Sequence, residues 1–107
     1  MIDVSMLAKA AVDCLADDPT QKECEIETAA LTRRQVRELI DAVFDAGEAS
    51  GVTIKGVLVD PMQIPLPANA EFLNAFRQQG RLIVVDINLD DKVIVKRGKI
   101  PVLDDLN

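Results

Sequence analysis

The chain has 107 residues, 49% of them hydrophobic, with 12 basic and 18 acidic side chains and a formal net charge of −6. That is enough apolar material for one hydrophobic core, so the expectation is a single α/β domain over 1–107 rather than a disordered chain. Histidine is absent, which excludes imidazole general bases, Ser-His and Cys-His nucleophiles and His-ligated zinc.

Aromatic residues are scarce: Phe44, Phe72 and Phe76, with no Trp and no Tyr. The core must be aliphatic, and stacking platforms for single-stranded nucleic acid are missing; with the negative charge, this disfavours nucleic acid as a partner. The acidic excess is N-terminal, since residues 1–31 hold seven acids and two bases while 32–107 hold eleven and ten. Met1–Ala16 lacks a basic start, and Asp3, Lys9 and Asp13 interrupt it, so it does not read as an export signal. No stretch has the length of a membrane span. The cytoplasm is the expected compartment, with Cys14 and Cys24 as reduced structural cysteines whose spacing fits neither CxxC nor a zinc knuckle.

Val4, Leu7, Ala8, Ala11 and Leu15 recur at helical spacing behind Asp3 as cap, which predicts a first helix over 4–16 ended by Asp17-Asp18-Pro19. Glu23–Ala30 alternates, with Cys24, Ile26 and Thr28 on one side and glutamates on the other, the pattern of a half-exposed strand. Thr32 and Gln35 form a capping box with Leu31 stapled to Val36. The stripe Val36, Leu39, Ile40, Val43 and Phe44 then predicts a second helix that Gly51 stops. Val52–Val59, apolar along most of its length, predicts a central strand.

Asp60–Pro67 carries Pro61, Pro65 and Pro67 and is expected to be a stiff extended loop without helix. A short helix follows from Asn69 to Gly80, with Phe72, Leu73 and Phe76 inward. Leu82-Ile83-Val84-Val85 is apolar on both faces, Ile87 and Leu89 continue one face while Asp86 and Asn88 interrupt the other, and Leu82–Leu89 reads as a strand inside a covered sheet. Asp90-Asp91 supplies turn chemistry before Lys92–Arg97, which predicts a C-terminal antiparallel hairpin. Lys92, Lys96, Arg97 and Lys99 are what an edge strand carries against unwanted pairing. Residues 99–107 should be a partly frayed tail. The order α-β-α-β-α-β-β implies a four-stranded mixed sheet with parallel, right-handed strand–helix–strand crossovers.

Three groups of residues could carry function. Asp60 and Asp86 fall near the carboxyl ends of strands, where open α/β sheets collect ligands, and could share Mg²⁺. Arg33, Arg34 and Arg37 crowd the first turns of the second helix and could bind an anion, although Arg34–Glu38 and Arg37–Asp41 are also i,i+4 ion pairs. Met62, Ile64 and Leu66 on the proline loop would form an apolar partner-binding patch. Asp90-Asp91-Lys92 matches the [DE]-x-K fragment of some nucleases, yet its position is that of a turn.

Val57-Leu58-Val59-Asp60, followed by Met62, Pro65 and the Glu71–Arg77 helix, resembles the phosphoacceptor region of response-regulator receiver domains over about a fifth of the chain. That resemblance implies a phosphoacceptor aspartate at Asp60. The sequence departs from the pattern where Pro61 directly follows the aspartate and where Asp17-Asp18 ends a helix instead of a first strand. The preferred expectation is a small, non-catalytic protein-interaction or regulatory module without cofactor, homodimeric through the proline loop or a sheet edge. The competing class is a Mg²⁺- or phosphate-dependent enzyme or phosphoacceptor using Asp60 and Asp86.

Overall fold

The computed structural model describes residues 3–64 and 69–98. Pro65, Leu66, Pro67 and the expected tail from Lys99 therefore lie outside the described residues, as do the side chains of Phe72 and Leu73. The elements are α1 (Val4–Asp17), β1 (Glu23–Glu27), α2 (Arg33–Ser50), β2 (Ile54–Val59), a 3-10 turn (Pro61–Gln63), α3 (Asn69–Gln78), β3 (Ile83–Val85) and β4 (Lys92–Arg97). This is the expected α-β-α-β-α-β-β order, and the four strands form one mixed sheet.

The local signals act as their chemistry requires. Asp3 Oδ1 accepts from the N–H groups of Ser5 and Met6 at 3.0 and 3.3 Å and opens α1. At α2 the Gln35 N–H donates to Thr32 Oγ1 at 3.1 Å while the Thr32 N–H donates to Gln35 Oε1 at 2.9 Å. Such a reciprocal cap is worth about 1 kcal/mol. Gly51 ends the helix in the left-handed region at φ 70°. The stripe Val36, Leu39, Ile40, Val43 and Phe44 is buried, joined by Ala8, Ala11, Val12 and Leu15 of α1 and Phe76 of α3. Those side chains pack on one face of the sheet, against Ile26, Val57, Val59, Val93 and Val95.

The strand order is β1-β4-β2-β3, which corrects the expected hairpin. β4 inserts antiparallel between β1 and β2, and among the described residues β3 pairs with β2 alone, in parallel. The link between β3 and β4 crosses the end of β2 on its way. The Asp86 N–H donates to the Val59 carbonyl at 2.8 Å, and at the far side the Thr28 N–H donates to the Asp91 carbonyl at 2.8 Å. Asp90-Asp91 is thus the last bend of a bridge over the sheet end and not a hairpin tip.

Two further expectations change with it. The Leu82–Val85 stretch is not sandwiched in the sheet interior; β3 stops at Val85, short of the expected Leu89, and is the edge among the described strands, with Val84 and Val85 38% and 40% exposed. Conversely, the basic strand is central. Its charges are tolerated because Lys92 and Lys96 leave the helix-covered face and stand across from Glu27 and Glu23 of β1, while Val93 and Val95 are fully buried. The proline loop also differs. Pro61 opens a 3-10 turn at the first position, where its missing N–H has no partner to lose.

Candidate protein-binding surface

Outward from the core, the sheet has a second face on which side chains alternate away from the helices. One cross-strand row of that face reads Glu25, Ile94, Leu58 and Val84, and its neighbour reads Glu23, Lys96 and Gly56. The glutamates of β1 are exposed, Ile94 and Leu58 half-buried, and Lys92 Nζ lies 3.6 Å from Glu25 Oε2. An apolar strip of Ile94, Leu58 and Val84 therefore runs from β4 to β3, flanked by the glutamates of β1 and by Lys92 and Lys96 of β4.

At β3 the strip meets a backbone edge on which no further strand lies among the described residues. The Val57 N–H donates to the Leu82 carbonyl at 3.0 Å and the Asp86 N–H to the Val59 carbonyl. In a parallel ladder alternate residues bond the neighbouring strand. Leu82, Val84 and Asp86 are thus committed to β2, and Ile83 and Val85 turn their N–H and C=O groups away from it. The side chains along and beyond this edge are Val84, Val85 and Ile87, the last 77% exposed. No charged residue lies between Leu82 and Val85 to discourage pairing, and what limits pairing at this edge is the shortness of the three-residue strand.

The residues singled out from the sequence are distributed otherwise. The bond from Asp86 N–H to Val59 does bring Asp60 and Asp86 to adjacent strand ends. Each carboxylate has one oxygen engaged locally: Asp60 Oδ1 accepts from the Met62 N–H at 2.8 Å, and Asp86 Oδ1 from the Asn88 N–H at 2.9 Å. Among the described residues no group of three or more His, Cys, Asp or Glu side chains is placed to hold a metal ion. Arg33, Arg34 and Arg37 are exposed on α2, and Arg34 Nε stands 3.7 Å from Glu38 Oε1, the anticipated i,i+4 pair. Met62 is exposed, but Ile64 is 1% exposed within the core, so these two do not share a surface patch; Leu66 lies outside the described residues.

Several polar connections were not foreseen. The Gln63 side chain receives the Asp60 N–H at 2.9 Å and donates to the Thr28 hydroxyl, and both Gln63 and Thr28 are buried. This ties the proline turn to the end of β1. Arg81, just before β3, lies 5.2 Å over the Phe44 ring and 2.9 Å from Asp45, with Asp41 and Glu48 at 3.8 and 3.7 Å. It fastens the approach to β3 onto α2, while burial pushes the Asp41 carboxyl above its ordinary value despite the guanidinium. Only the fold reveals the Gln63–Thr28 bond and the Arg81 contacts, because their partners are distant in sequence, whereas Asp60 and Gln63 form a local capping box.

Among the described residues no helix is long and apolar enough to cross a membrane. Compared with known proteins, the chain matches no family model, no curated protein and no solved structure.

Proposed function

We propose that the chain is a non-catalytic protein-interaction module that pairs with a second copy of itself along β3. The observation that carries this reading is the outer edge of β3, where the backbone groups of Ile83 and Val85 meet no strand among the described residues and coincide with exposed apolar side chains. Strand addition to such an edge draws affinity from main-chain hydrogen bonds. The edge is also self-complementary. A two-fold axis at Val84 sets Ile83 opposite the partner's Val85 in a hydrogen-bonded antiparallel pair, and Val84 opposite the partner's Val84, β-branched on β-branched. Leu82 then faces the partner's Asp86, so no like charges meet. The product is a continuous eight-stranded sheet.

A three-residue edge buries less than the roughly 1,200 Å² of stable complexes, so the association is weak and reversible. Sedimentation equilibrium from about 20 μM to about 1 mM should show a concentration-dependent dimer in this transient class. Val84→Lys places two ammonium groups on the axis at an exposed site and should leave a folded monomer throughout. A wild-type monomer up to the highest concentration would remove the second copy as partner.

The competing reading, a Mg²⁺-dependent enzyme or phosphoacceptor, draws on the adjacent strand ends at Asp60 and Asp86. A Mg²⁺ titration followed by NMR separates the two readings, with shifts confined to Asp60, Asp86 and Asn88 favouring the metal.

A further inference from the structure

Away from the β3 edge, α1 and β1 form a tight helix–strand reversal. The Asp18 carboxylate accepts from the Thr20 N–H at 2.9 Å and hydroxyl at 2.6 Å, and the Gln21 N–H donates to the Asp18 carbonyl at 3.0 Å. Arg97 reaches in from β4 and donates to the carbonyls of Leu15, Asp18 and Gln21, while its own N–H bonds the Lys22 carbonyl. The end of α1 and the start of β1 are thus held together at one point, and the two elements run back along each other from there. A groove between them is lined by Leu7, Ala10 and Ala11 on the helix and by Cys24 and Ile26 on the strand.

Leu7, Ala10, Ala11 and Cys14 succeed one another along one line of α1, at i, i+3, i+4 and i+7. Cys14 is the member nearest the reversal, and Cys24 is the second residue of β1 beyond it. Cys14 therefore extends the helix wall of the groove that Cys24 lines from the strand, and the two thiols interact although their sequence spacing resembles no redox motif. Cys14 is exposed, Cys24 half-buried, and both are free thiols. Burial pushes the Cys24 thiol up, and the neighbouring Cys14 and Glu25 push it the same way.

We propose that Cys14 and Cys24 are a thiol–disulfide pair that a low-molecular-weight disulfide such as oxidised glutathione closes. Cys14, the exposed partner, attacks as its thiolate one sulfur of the small disulfide. That S–S bond breaks, one glutathione thiolate leaves, and a mixed disulfide remains on Cys14. Cys24, losing its proton to solvent, then attacks the Cys14 sulfur and expels the second glutathione thiolate. Two protein thiols give up two electrons and two protons, and one small disulfide becomes two thiols. The raised Cys24 thiol is a poor first attacker but a competent second one, because its step is intramolecular.

The test is incubation of the reduced, folded protein with oxidised glutathione, read by intact mass, peptide mapping and thermal unfolding. The expected product has lost two hydrogen atoms, carries no glutathione and yields a Cys14–Cys24 linked peptide. Its unfolding midpoint rises by roughly 5–15 °C, since the bond closes a short ring in the unfolded chain. Cys24→Ser should stop at one glutathione on Cys14, and Cys14→Ser should react far more slowly than wild type. Wild-type protein that keeps one or two glutathiones, links through cysteine to a second chain, does not react, or gains no thermal stability would overturn the proposal.

Discussion

Gly47 shows how one side chain's absence positions a whole layer. It lies inside α2, where alanine would ordinarily stabilise the helix by about 1 kcal/mol. A Cβ there would stand 2.8 Å from Ile54 Cγ1 and 3.0 Å from the Val52 carbonyl oxygen. The carbonyl belongs to the chain entering β2 and cannot yield without moving the strand. Gly47→Ala is therefore expected to destabilise by about 1–3 kcal/mol despite the helix gain, measured by urea unfolding. Gly51 offers the contrast: nothing lies within 4 Å of its missing Cβ, and its requirement is the backbone conformation at φ 70°. The role of Gly51 was legible in the sequence, because a glycine after the last apolar turn of a helix is a local signal. That of Gly47 was not, because the atoms that demand it belong to another element.

Among the elements, those legible in the sequence were the ones with local punctuation: Asp3 opening α1, the Thr32–Gln35 box and Gly51 bounding α2, and the alternation of β1. Strand order was harder. The lysines of β4 read from the sequence as the guard of an edge strand, and their match to Glu23, Glu25 and Glu27 emerges only when the fold sets β1 beside β4. The run Leu82–Val85 does not report its place either, since four apolar residues fit a buried central strand and a sticky edge equally well. The candidate surface was missed for that reason, and Ile64 was misplaced because a proline turn can direct one side chain inward and the next outward. Arg97 gives the element scale its own test. Its guanidinium supplies α1 with the cation at the carboxyl end that the helix itself lacks, serving three main-chain carbonyls at once. Arg97→Met keeps the aliphatic stem and removes every guanidinium donor, so denaturant unfolding should show a loss of about 1–3 kcal/mol. The exposed Lys9–Asp13 pair, 72% and 44% accessible, serves as the control: Lys9→Met should change stability by no more than about 0.5 kcal/mol.

For the molecule as a whole, the consequential feature is that the last of the described strands is a central one. β1 does not touch β2 in the sheet; β4 joins them, with Val93 and Val95 sealed in the core. Opening β4 therefore dissolves the sheet, whereas opening the outer side of β3 dissolves nothing. Amide hydrogen exchange should display that difference, because protection follows the free energy of the opening that exposes each N–H. The Leu58 and Ile94 pairing sits mid-sheet and should exchange only through global unfolding. Within β3 the protection should alternate, with Val84 and Asp86 shielded by their bonds to β2 while Ile83 and Val85, turned outward, exchange quickly. This alternation also reports on partnership. If a second copy adds to the edge, Ile83 and Val85 must gain protection as protein concentration rises, and Val84→Lys must abolish the gain while leaving Val84's neighbours in β2 and β4 as slow as before. Rapid exchange at both positions at every concentration would mean that this edge meets only solvent in the isolated protein.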